Sequence, residues 1–107
     1  MNALVVSTTR LNGFVVVTPA GEVDLVGKPL LYGCVRAALR THHEGLLVIE
    51  LSAVTFMDAQ GLSALVLSRR HAVRHQRALA LAGVPDAVRR LLQITALSSS
   101  FTLMAWP

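Results

Sequence analysis

Two aspartates, Asp24 and Asp58, are the residues of this chain whose type and setting best suit chemistry. Each stands where an apolar run gives way to a helical pattern. Asp24 closes Gly21-Glu22-Val23-Asp24, and Asp58 lies within Thr55-Phe56-Met57-Asp58-Ala59-Gln60-Gly61-Leu62. A carboxylate at a strand-to-helix corner sits beside unpaired backbone N–H groups and the positive end of a helix dipole, so the corner suits an anion, a phosphoryl group or a partner's loop. The same carboxylates make good helix caps, and capping and function are compatible. As a general acid/base pair they lack a companion nucleophile.

The remaining candidates are weaker. His71 and His75 have the four-residue spacing of metal ligands on a helix, but the Glu of a metalloprotease-type motif is missing and Arg69, Arg70 and Arg74 would repel a cation, so they read as exposed surface histidines. His42-His43 read as favourable charges at a helix C-terminus. Cys34 falls on an apolar stripe, where a thiol is inert. No glycine-rich phosphate loop, CxxC pair or serine nucleophile elbow occurs, so neither catalysis nor a metal or other cofactor is expected.

The elements that must position these residues follow from pattern. Leu4 to Thr9 and Phe14 to Ala20 are β-branched runs separated by a stretch containing Asn12-Gly13, a hairpin signal, and Gly21 to Asp24 is expected to break the second strand. Leu30, Leu31, Cys34, Val35, Ala38 and Leu39 recur at helical spacing, which predicts a first helix over 26–41 with Pro29 in its first turn. Leu46 to Leu51 reads as a central strand covered on both faces. A second helix starts near Gln60 or Gly61 and runs to about His75. Its stripe of Leu62, Leu65, Val66, Arg69 and Val73 is expected to pack on the sheet, while Ser63, Leu67, Arg70 and Arg74 face outward. Ala78 to Ala82 is a further strand, Pro85-Asp86 opens a third helix, and Phe101 to Ala105 closes the sheet. The order predicts a single α/β domain over residues 1–107, with a mixed, mostly parallel sheet of about five strands, an N-terminal antiparallel hairpin and three main helices. Asp24 and Asp58 then lie at the carboxyl ends of neighbouring strands, where open α/β sheets carry their sites.

Composition narrows the function. The chain has 107 residues, enough for one self-sufficient core, and its 53% hydrophobic content contains no apolar run long enough to span a membrane. The N-terminus lacks the order of a signal peptide and the single cysteine cannot form an internal disulfide, so a reducing cytoplasm is the expected home. The net charge of +4 is gathered after Asp58, where six arginines face Asp86 alone. No aromatic residues interleave with them to stack on bases, so a solvated helix face is expected rather than a nucleic-acid site.

The segments Gly21-Glu22-Val23-Asp24, Leu51-Ser52-Ala53-Val54-Thr55-Phe56-Met57-Asp58-Ala59-Gln60-Gly61-Leu62 and Gly83-Val84-Pro85, with Val88-Arg89-Arg90-Leu91-Leu92, occur in an order and spacing that resembles the STAS domains of sulfate transporters and anti-sigma factor antagonists. In the bacterial antagonists of that family the hydroxyl residue just before the loop glycine is phosphorylated by an anti-sigma kinase, and the added charge releases the complex. The resemblance maps Asp24 and Asp58 onto the acidic positions, Gly61 onto the glycine, and Gln60 onto the phosphoacceptor, with Ala59 before it. Neither Ala59 nor Gln60 can take a phosphoryl group, and Ser63 lies one turn too far along. The resemblance therefore implies a non-enzymatic regulatory module that grips an anti-sigma factor or related ATPase-fold serine kinase without a switch at Gln60. The expected face comprises Asp24, Met57, Asp58, Ala59, Gln60, Gly61, Leu62, Ser63, Ala64 and Leu67. The alternative is a subunit of an ABC-type lipid transporter. The chain is expected to be a monomer or weak dimer.

Overall fold

The computed structural model describes residues 3–106. Strands β1 (Val5–Leu11) and β2 (Phe14–Val23) pair antiparallel through the predicted hairpin. Asn12 and Gly13 both adopt positive φ, 52° and 83°, as a two-residue turn of the primed type requires. Helix α1 (Gly27–Thr41) leads to β3 (Leu47–Glu50) and β4 (Val54–Met57), helix α2 (Ala59–Arg74) to β5 (Leu79–Ala82), and helix α3 (Asp86–Ile94) to β6 (Thr102–Met104).

The sheet runs in the order β1-β2-β3-β5-β6, parallel from β2 onward, and β4 pairs with the far end of β2. It thus has six strands rather than about five. The extra strand arises because Leu51-Ser52-Ala53 turns the chain tightly, Val54 N–H donating to the Leu51 carbonyl at 3.0 Å, before it resumes alongside β2. For the same reason Gly21 does not end β2. The register shifts between Gly21 and Glu22, an irregularity that bends the strand and lets Glu22 and Val23 pair with Phe56 and Met57.

All three helices bury their apolar stripes in one core with Val15, Val17, Val23, Leu47, Ile49 and Leu81 of the sheet and with Leu51 just after β3. Leu31, Val35, Ala38 and Leu39 come from α1, Leu62, Leu65 and Ala72 from α2, and Val88 and Leu92 from α3. The other face of the sheet is closed by Phe14, Leu46, Met104 and Trp106 over Val16, Val48 and Ala82, so β3 is covered on both faces but only one cover is helical.

Two details of the expected stripes differ. Leu30 is exposed on α1, and on α2 Arg69 and Val73 are exposed while Leu67 is half-buried. The α2 stripe is rotated because this helix packs against α1 as well as against the sheet. Among the described residues no helix is long and apolar enough to cross a membrane.

Candidate functional site

The β4–α2 corner is built by parallel pairing. Val23 stands opposite Met57, so the residues that follow them, Asp24 and Asp58, leave adjacent strand ends together. Both carboxylates cap the helix ahead of them. Asp58 Oδ1 accepts from the backbone N–H groups of Gln60 at 2.9 Å and Gly61 at 3.2 Å. Asp24 Oδ1 accepts from Val26 and Gly27 N–H, each at 3.0 Å. Two orphan donors at each helix start are satisfied in this way, and each negative charge meets a helix dipole at its favourable end.

The helix starts are also joined to each other. Lys28 Nζ donates to Gln60 Oε1 at 3.3 Å, linking the first turn of α1 to the first turn of α2. Gly61 marks the closest approach of α2 to the sheet: a β-carbon there would run into the Val23 carbonyl oxygen and come within 2.6 Å of Met57 Cγ.

The candidate residues fall into two groups. Ala59 is exposed, and Asp24, Met57, Asp58, Gln60, Ser63 and Leu67 are half-buried. Gly61, Leu62 and Ala64 are buried, Ala64 completely, so they hold the corner in place from beneath and offer a partner no side-chain surface. The strand leading into the corner is not a buried one: only Val54 of β4 is fully covered.

Several residues that flank the corner were not read from sequence as part of its surface. Leu25 and Val26, 66% and 82% exposed, stand in the β2–α1 loop, Leu30 lies on the outer side of α1, and Phe56 is 48% exposed two residues before Asp58. A shallow groove of about 340 Å³ beside Asp24 is lined by Ala3, Leu4, Glu22, Val26, Gly27 and Leu30. Leu25-Val26 was visible in the sequence as an apolar pair directly after an acid. Lys28 had no signal, because its contact with Gln60 spans two elements. Glu50, buried at the end of β3, accepts from Ser52 N–H at 2.8 Å and Ser52 Oγ at 2.5 Å and serves to brace the β3–β4 turn.

Among the described residues no group of three metal-ligating side chains converges. Cys34 is a free, partly covered thiol packed at the edge of the core. Fold and corner together define a small two-layer α/β domain whose polar, capped helix starts are rimmed by exposed apolar side chains.

The STAS domain family model matches residues 5–105, and the chain belongs to the STAS domain family. An anti-sigma-B factor antagonist of Listeria monocytogenes is 35% identical over 82 residues, covering 74% of this chain and 68% of the relative. The crystal structure of an anti-sigma factor antagonist from Mycobacterium paratuberculosis superposes with a TM-score of 0.82 at 28% identity, covering 94% of this chain and 85% of that one. The structure of the anti-sigma factor antagonist SpoIIAA in its unphosphorylated form shares the fold, with a TM-score of 0.76 at 17% identity over 98% of this chain and 89% of that one.

Proposed function

We propose that this chain is a regulatory binding module of the anti-sigma factor antagonist kind, which grips an anti-sigma factor or related ATPase-fold serine kinase through its paired helix starts and is not switched by phosphorylation at Gln60. The observation that carries this reading is the composition of the corner. Asp24, Asp58 and Gln60 form a polar centre beside the exposed apolar side chains of Leu25, Val26, Leu30 and Phe56. Apolar groups that water would otherwise hydrate, set around a few fixed polar ones, are what a protein partner buries. The side chain of Gln60 has no hydroxyl to accept a phosphoryl group, and its amide oxygen is already engaged by Lys28.

The reading is tested by measuring the affinity of the chain for an anti-sigma kinase by calorimetry, with Val26→Asp and Leu25→Asp as probes. Both side chains are exposed in the free protein, so the substitutions leave folding intact, yet each places a charge in the contact. The expected result is a loss of affinity of at least about tenfold for Val26→Asp. Unchanged affinity would place the contact elsewhere, and capture of transporter ATPase or permease subunits in place of a kinase would favour the transporter-subunit alternative.

A further inference from the structure

At the far end of the α1–α2 seam from Gln60, the two helices and the segments after them enclose a cleft of about 430 Å³ lined by Arg36, Leu39, Arg40, His43, His71, His75 and Arg77. Six of these seven residues are basic and none is a carboxylate. We propose that this cleft is a binding site for a small phosphate-bearing anion.

The geometry favours an anion over a cation. The His71 and His75 rings are adjacent, with centroids 4.3 Å apart and planes tilted by 35°, and His75 Nδ1 donates to the His71 carbonyl at 2.9 Å, which leaves His75 Nε2 as its free nitrogen. Tyr32 lies outside the lining and touches two of its members. Its ring meets His71 edge-on at 6.1 Å and lies under the Arg36 guanidinium at 5.5 Å, so one aromatic orients two of the cationic groups. Arg77 is committed to structure: it donates to the carbonyls of His42 at 2.7 Å, Gly45 at 3.0 Å and Leu39 at 3.3 Å, fixing its charge at the C-terminal end of α1. Arg36 and Arg40 are exposed, with guanidinium forks that match the spacing of phosphate oxygens.

Crowding of positive charge has a cost here. His71 is held below its ordinary pKa by partial burial and then by His75, Arg36 and Arg74. A bound anion reverses the charge part of that effect and draws a proton onto His71, with Arg36 and Arg40 facing it from α1, His43 from the following loop, and His75, Arg74 and Arg77 from the end of α2 and beyond. The cleft is concave and of small-ligand size, and the neighbouring ring of Tyr32 is occupied by His71 and Arg36, which fits a compact anion better than a nucleic-acid strand. The site lies two to three helical turns from the Lys28–Gln60 contact, on the order of 12 to 16 Å along the helices, so both sites can be filled at once.

The test is a titration of the whole chain with pyrophosphate at about pH 6.5, followed through the histidine ring resonances by NMR. The proposal requires saturable movement of the His71 and His75 signals and a rise in the pKa of His71. It also requires at least about a tenfold weakening in the double variant Arg36→Ala, Arg40→Ala, with less than about a twofold change in Arg89→Ala, Arg90→Ala on α3. Circular dichroism confirms that the variants are folded, and the wild-type histidine shifts stand apart from any variant. Absence of a saturable response, or equal weakening in both double variants, overturns the site. So does binding confined to vesicles of three parts phosphatidylcholine to one part phosphatidylserine with no response to pyrophosphate, since that would mark a membrane-facing surface.

Discussion

Lys28 donates to Gln60 across two helices, at 3.3 Å, and so places a cation beside the residue that we propose stands at the family's phosphoacceptor position. Gln60→Ser would restore a hydroxyl at that place. Incubated with ATP and a kinase that binds the chain, the variant is expected to take up about one phosphate, with Lys28 moving to pair with it, and to lose affinity for the kinase as about two negative charges enter the contact. Intact-mass spectrometry reads the incorporation; a bound variant that stays unmodified would separate this protein from the phosphorylated antagonists.

Gly61 is fixed by space. Gly61→Ala would drive a methyl group into the Val23 carbonyl and Met57 Cγ, which are parts of two paired strands and cannot both retreat. The expected cost is about 1–3 kcal/mol in urea unfolding, with loss of the Asp58 cap as α2 is pushed outward. A stability equal to that of the wild type would mean that the corner is looser than its packing indicates.

Asp58→Ala removes an acceptor that serves two backbone N–H groups, and the usual cost of losing such a cap is about 1 kcal/mol. Partner affinity is expected to fall by more than that, about tenfold or beyond, because Asp58 also holds the Gln60 backbone within the proposed contact. Equal losses in denaturation and calorimetry would make Asp58 a cap and nothing more.

The lowered pKa of His71 gives stability a pH dependence with a definite sign. The unfolded chain protonates this residue near its ordinary value of 6.5, whereas the folded chain does so only at lower pH. The unfolded state therefore binds more protons between the two values, so the stability present above pH 6.5 falls as the pH drops through that window. Denaturation curves on either side of it should differ in that direction, and the His71→Gln variant should show a smaller slope; an unchanged slope would assign the effect to other groups.

Arg77 closes the C-terminal end of α1 through three carbonyls, a fork that Lys cannot reproduce. Arg77→Met should cost about 2 kcal/mol and speed amide exchange in the last turn of α1 while leaving the first turn protected. Uniform exchange along the helix would contradict this local role.

What the sequence made legible was local. Asn12-Gly13 specifies its turn by the conformations those residues tolerate, and the apolar spacing in α1 and α2 locates both helices because the period is carried within each segment. The strand-to-helix corner at Asp58 was visible for the same reason, as an acid directly ahead of a helical pattern. The burial of Ala64 was harder to assign, since it depends on α2 packing against both the sheet and α1. Gly21 read as a strand end because a glycine in a β-run marks either a break or an irregularity, and only the pairing with β4 decides between them. Lys28 and Arg77 carried no signal at all: their partners lie more than thirty residues away in the chain and meet them only once the helices have packed.

The central claim, a partner-binding corner without a covalent switch, is tested most directly by measuring the affinity of the wild-type chain for an anti-sigma kinase before and after incubation with ATP and magnesium, with intact mass recorded alongside. The account predicts an unmodified chain and an unchanged dissociation constant. Stoichiometric phosphate on Ser63 or any other residue of α2, with release of the kinase, would contradict it.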